Sequence, residues 1–93
     1  MPLEFQWDPD KARTNLRKHG VSFEEASTVF ADPLALTIPD PDHSEDEERY
    51  ITVGESTFRR IVVVSAVDRD ETIRIISARV ANRRERRKYE EDI

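Results

Sequence analysis

The apolar positions of this chain change their spacing along its length, and the changes divide it into elements. Leu3 to Trp7 alternates, with Phe5 and Trp7 on one side, and reads as a short strand. From Asp8 the spacing becomes helical. Asp8 suits an N-cap and Pro9 the first helical position, and Gly20 is a left-handed stop after His19. The inward stripe of this helix is thin, with Ala12, Leu16 and His19 at i, i+4 and i+7. A second helix follows at once. Ser22 and Glu25 have the spacing of a capping box, Phe23, Ala26 and Phe30 form the buried face, and Asp32-Pro33 ends it. A link this short implies an αα-hairpin.

Beyond Pro33 the period is that of strands. Leu34 to Ile38 is one candidate, and Arg49 to Glu55 alternates with Ile51 and Val53 on one face. Arg60 to Val67 carries Ile61-Val62-Val63-Val64, a run suited to a central strand buried on both faces. A turn at Asp68 to Asp70 leads into Thr72 to Ala78, with Ile73, Ile75 and Ile76. Short connections between consecutive strands favour an antiparallel meander. A last helix spans Arg83 to Asp92, with Asn82 as its N-cap. The reading is α+β: two N-terminal helices packed on a small antiparallel sheet, then a C-terminal helix. It makes one domain over residues 1–93, without repeats.

Charge changes the picture more than composition does. With 37% hydrophobic and 38% charged residues, the core is small, and a bound partner would add stability by mass action. The chain has no cysteine, which removes disulfides and thiol chemistry and fits a reducing compartment. No apolar run approaches a membrane span, and the acidic stretch Met1 to Asp10 does not resemble a signal peptide, so a cytoplasmic protein is expected. The net charge of −5 argues against a nucleic-acid binder until its distribution is considered. Asp40, Asp42, Glu45, Asp46, Glu47 and Glu48 lie in one proline-bearing segment; without these six, fifteen bases face fourteen acids. Arg79, Arg83, Arg84, Arg86, Arg87 and Lys88 crowd into ten residues, opposed only by Glu85. A polyanion responds to this local field rather than to the net charge.

The C-terminal helix has almost no apolar face, only Tyr89 and Ile93. Arg83, Arg84 and Arg86 sit in or beside its first turn, where the helix dipole is already positive and a cation costs about 0.3–1 kcal/mol. That placement makes sense for an anionic ligand. A solvated helix with Arg86–Glu90 and Arg87–Glu91 pairs explains two of the arginines and leaves the others.

Two stretches carry a family resemblance. Asn15-Leu16-Arg17-Lys18-His19-Gly20-Val21-Ser22-Phe23-Glu24-Glu25-Ala26 resembles one signature of BrnT toxins. Ile75-Ile76-Ser77-Ala78-Arg79, with Arg84-Glu85-Arg86 and Tyr89-Glu90, resembles their ending. Phe5 to Asp8 and Asp32-Pro33-Leu34 fit as well, so the similarity runs from about Phe5 to Glu91. The resemblance implies a RelE-like α+β fold and a ribonuclease that arrests translation. It also implies a BrnA-type antitoxin with a ribbon-helix-helix part. Toxin and antitoxin would form a 2:2 heterotetramer that reaches DNA only through the antitoxin.

RNA can be cut without a metal by its own 2′-OH. The reaction needs a group to take that proton, cations for the phosphorane, and a donor for the leaving 5′ oxygen. Arg79 and Arg83 are candidates for the phosphate, since a guanidinium fork matches its oxygens, and Arg84 and Arg86 extend the same charge. Glu85 and Tyr89 share a helix face at i and i+4. Glu85 is a base or closes a capping box with Asn82; Tyr89 stacks on a nucleobase or anchors the helix. His19 is of the residue type that titrates nearest neutrality, but a buried or capping histidine is the plainer reading. Lys18 beside it equally serves the helix dipole. His43 among acids is too thin a set for a metal, and no metal or other cofactor is expected. The rival function is a non-enzymatic module whose basic helix docks on an acidic protein. DNA binding by the chain itself has no helix-turn-helix or ribbon pattern behind it.

Overall fold

The computed structural model describes residues 3–42 and 48–91. Its centre is the valine-rich run, strand β4 (Ile61–Arg69), in which Val62, Val63, Val64, Ala66 and Val67 are all buried. Around it lie β1 (Glu4–Gln6), β2 (Leu36–Pro39), β3 (Arg49–Glu55) and β5 (Thr72–Val80) in the order β1-β5-β4-β3-β2, so β4 occupies the middle of five. β2 to β5 form the expected antiparallel meander. β1 departs from it: Phe5 pairs with Ile73 in a parallel register, and the sheet is mixed rather than wholly antiparallel. Direction is invisible in three alternating residues. It is set by packing, since Phe5 lies against Phe30 at 5.4 Å between ring centroids and Trp7 lies edge-on to Phe23 at 5.9 Å.

Helices α1 (Pro9–His19) and α2 (Phe23–Thr28) lie against β5, and α2 reaches β4. Between helices and sheet sit Val21, Phe23, Ala26, Val29, Val62, Val64, Ile75 and Ala78. Asp8 caps α1 by accepting the Asp10 and Lys11 amides, and Gly20 at φ 71° closes it, its amide donating to the Leu16 carbonyl. The stripe of α1 is rotated from the expected one. Ala12 packs inward and Asn15 is buried, while Leu16 is half exposed and His19 faces solvent. Asn15 turns the helix. Its amide donates to the Val21 carbonyl (2.9 Å) and the Ala78 carbonyl (2.8 Å), and its oxygen accepts the Ala78 amide (3.1 Å). A buried side chain satisfied at each of these atoms outweighs one leucine on a small surface.

The capping box of α2 is also only half formed. Ser22 accepts the Glu25 amide, but the Glu25 carboxylate points inward to Arg60 and Ser56. A buried carboxylate needs a cation more than an exposed helix end needs its second cap. After Thr28 the helix tightens into a 3₁₀ turn, Val29–Ala31. Gly54 on β3 allows that turn to close on the sheet, because a Cβ there would stand 3.0 Å from Ala35 and Val29 and 3.1 Å from the Asp32 carboxylate. The last helix, α3 (Arg83–Glu91), follows β5 through Ala81, whose amide donates to the Ile61 carbonyl. Ile93 and His43 lie outside the described residues.

Candidate active site

Along β5, Ser77 and Arg79 stand two residues apart, opposite Ser65 and Val63 of β4, and so share the sheet face away from α1 and α2. On that face Val63, Val53 and Leu36 continue the row across β4, β3 and β2. With Ile38, Ile51, Arg79, Glu85 and Lys88 they line a cavity of about 180 Å³, apolar at its floor and charged at one rim. Ile38 remains 54% exposed. This apolar stripe runs across strands, which is why none is visible along the chain.

At the rim, Arg79 is held by Glu85. Its Nη1 and Nη2 donate to Oε1 and Oε2 of the carboxylate, both at 2.8 Å. Glu85 Oε1 also accepts the Asn82 amide (2.9 Å), and Asn82 Oδ1 accepts the Glu85 amide (2.8 Å). The capping box and the arginine clamp are therefore one structure, and of the two readings of Glu85 the geometry forms the capping box. The Arg79 guanidinium holds the Glu85 carboxyl below its ordinary range against the opposing effect of burial, with the Asn82 amide assisting. A carboxylate so occupied is a weak proton acceptor and a strong brace.

Tyr89 is 5% exposed, and its hydroxyl donates to Asp32 Oδ2 at 2.5 Å. The same oxygen accepts the Glu55 amide (2.8 Å), and Oδ1 accepts the Leu34 amide (2.9 Å). Burial raises the Asp32 carboxyl, but these three donors outweigh it and the net shift is downward. Burial and the facing Asp32 push the Tyr89 hydroxyl up to about 12. The ring thus pins α3 to β3 and to the loop after α2. Asp32, which reads in sequence only as a helix stop, supplies the anchor; no local signal marks it.

Arg83, Arg84 and Arg86 are exposed on α3 and have no side-chain partner among the described residues. Lys18 and His19 lie apart from Arg79, in a groove of about 320 Å³ between α1 and the outer edge of β5, lined also by Asp10, Lys11, Thr14, Asn15, Ile76 and Ser77. Ser77 connects the two places, being in that groove and two residues before Arg79. The structure thus joins Arg79 with Glu85, sets the α3 arginines beside them, and leaves Lys18 and His19 on an adjoining edge. Among the described residues no cluster of His, Asp and Glu has metal-binding geometry. None of the described helices is long and apolar enough to cross a membrane.

The chain as a whole, fold and sequence, has counterparts among known proteins. The family model described as "Ribonuclease toxin, BrnT, of type II toxin-antitoxin system" matches residues 7–85. The chain belongs to the BrnT family. Among solved structures it resembles the Brucella abortus ribonuclease toxin BrnT, with a TM-score of 0.69 and 25% identity, over 88% of this chain and 100% of that one. No curated protein matches it.

Proposed function

We propose that this chain is the toxin of a type II toxin–antitoxin pair, an endoribonuclease that cuts RNA by attack of the 2′-OH without a metal and so arrests translation in the cytoplasm. The observation that carries this reading is the family match over residues 7–85. In it Arg79 meets the scissile phosphate. Glu85 keeps the guanidinium in place, and Arg83, Arg84 and Arg86 hold the flanking backbone. Lys18 and His19, across Ser77, are the groups placed to move the proton, with histidine the natural shuttle. Tyr89 sets the angle of α3, so its loss disturbs every arginine on that helix. The non-enzymatic docking module is the weaker reading, because a braced Arg79 beside unpaired arginines fits phosphate oxygens at least as well as protein carboxylates.

The partner in this reading is a BrnA-type antitoxin with a ribbon-helix-helix part, in a 2:2 assembly whose dimeric core is the antitoxin and which alone touches DNA. Inhibition follows if the antitoxin covers the α3 rim or the apolar cavity beside it. The RelE-like grouping belongs to the same proposal.

The test is cleavage of single-stranded RNA by protein purified free of antitoxin, in EDTA. We expect cleavage, its loss by at least about a hundredfold in Arg79→Ala, and its suppression when the neighbouring gene's product is added. A strict need for a divalent ion at the chemical step overturns the metal-free mechanism, and a fully active Arg79→Ala protein removes Arg79 from it.

A further inference from the structure

The β3–β4 hairpin carries an exposed aromatic ring at the basic end of the molecule. Phe58 is 68% exposed, the most exposed of the chain's large hydrophobic residues that the structure describes. It stands on a tip bonded from several sides. The Ser56 amide donates to the Arg60 carbonyl (2.8 Å) and the Arg59 amide to the Ser56 carbonyl (2.9 Å). Buried Ser56 accepts the Phe58 amide, Thr28 accepts the Thr57 amide, and Asp32 accepts the Glu55 amide. Arg59 holds a left-handed φ of 64°, a conformation a non-glycine residue keeps only where its surroundings impose it. A loop tied this firmly could bury its ring or do without one, yet it presents it to solvent.

Its neighbours carry both signs: Arg59 is exposed, while Arg60 is paired with Glu25 and Glu55 ends β3 beside the tip. Arg60 donates to the Gly20 carbonyl at 3.0 Å, which brings the Lys18–His19 end of α1 beside the hairpin. The Ala81 amide donates to the Ile61 carbonyl, which brings the Arg83–Arg84 start of α3 to the other side. Along β4, Val63 faces Arg79, and Phe58 lies five residues before it, at most about 17 Å at the rise of a strand. A ring at the same end of the sheet as a phosphate site, beside the exposed Arg59 and the exposed start of α3, has the composition of a single-strand nucleic-acid platform, in which an aromatic face takes a base and cations take the backbone.

We propose that Phe58 is a nucleobase-stacking site for single-stranded RNA, holding an unpaired base of the strand whose scissile phosphate Arg79 binds, with Arg59 on the phosphate beside that base. The proposal rests on the ribonuclease reading. It makes Phe58 a binding residue, outside the chemistry, that sets how RNA lies across the rim. Stacking on one aromatic ring is sequence-tolerant, so the site favours unpaired over duplex RNA more than one base over another.

The experiment measures fluorescence anisotropy of a labelled single-stranded oligodeoxynucleotide, which lacks the 2′-OH and is not cut, with full-length wild type and Phe58→Ala, Phe58→Leu and Phe58→Trp. Cleavage of the matching RNA is followed in parallel. Binding should weaken about tenfold or more in Phe58→Ala and Phe58→Leu and return in Phe58→Trp, with native circular dichroism throughout. In cleavage by Phe58→Ala, KM should rise while kcat holds. Equal binding by wild type and Phe58→Ala, or full rescue by leucine, overturns the stacking site and leaves the ribonuclease reading intact. A wild type that neither binds nor cuts overturns both. Unchanged nucleic-acid binding with weakened antitoxin binding assigns Phe58 to the protein partner instead and also overturns the proposal.

Discussion

Beyond Arg74, where β1 stops, the outer edge of β5 has no strand beside it among the described residues, and Asn15 supplies both the donor and the acceptor that Ala78 lacks. Glu25 solves a related problem. Its carboxylate, 3% exposed, accepts Ser56 Oγ at 2.7 Å and Arg60 Nε at 3.0 Å and also pairs with Arg60 Nη2, so it ties α2 to the hairpin tip. The Arg60 hydrogen bonds lower its carboxyl pKa against the rise due to burial, with Ser56 assisting. A depressed carboxyl stabilises the fold in full above its unfolded value, near 4.5, and that contribution is lost as pH falls through the lower folded value. Urea midpoints should therefore decline for wild type as pH drops below about 4.5, while Glu25→Gln, already weaker at neutral pH, should decline less and approach it. Parallel curves for the two proteins would show that Glu25 is not a group through which acid destabilises the fold.

At the scale of elements, α3 joins the site to the fold through a few contacts: the Asn82–Glu85 box, the Arg79 clamp and the Tyr89–Asp32 bond. The arginines between them point outward. Replacing Arg83 and Arg86 together by alanine should leave the unfolding free energy from urea titration within about 0.5 kcal/mol of wild type, since exposed surface positions contribute little, and abolish toxicity in cells. A folded double variant that remains fully toxic would remove α3 from RNA binding. Much of this helix was legible in the chain, since a cap at Asn82, a glutamate three residues on and arginines at the positive end are all local signals. The strands of the meander were equally plain, β3 from alternation and β4 from its continuous apolar run. What stayed hidden depends on contact between distant residues. The direction of β1 is set by Phe30, the rotation of α1 by Ala78, the inward turn of Glu25 by Arg60, and the place of Asp32 by Tyr89. Each partner lies more than twenty residues away along the chain. The exposed Phe58 gave no signal either, because an aromatic beside a strand reads as core until the hairpin places it outside.

Across the whole molecule the described residues of the two charge runs separate toward two ends. β3 starts and β4 finishes at one end, where Asp40, Asp42, Glu48, Asp68, Asp70 and Glu71 gather with Arg49 and Arg69 among them; Arg59, Arg60, Arg83 and Arg84 lie at the other, with the Lys18–His19 turn of α1 and with Glu25, paired to Arg60, and Glu55 among them. The molecule measures 32 × 30 × 27 Å. Screening lengths are about 30 Å at 0.01 M salt and about 8 Å at 0.15 M, so the acidic end repels RNA approaching the basic end in dilute buffer and hardly at all at physiological salt. Replacing Asp42, Glu45, Asp46, Glu47 and Glu48 by Ser or Asn removes five negative charges and takes the net charge from −5 to zero. Cleavage by this variant should be faster than wild type in low salt, and the advantage should shrink as salt rises, because it comes from long-range attraction rather than from contacts at Arg79. Rates measured for both proteins across that salt range decide the matter. If the variant keeps native circular dichroism but loses cleavage at every salt concentration, a carboxylate of this segment, or His43 within it, takes part in the reaction. The active site would then lie at the acidic end, away from Arg79 and α3.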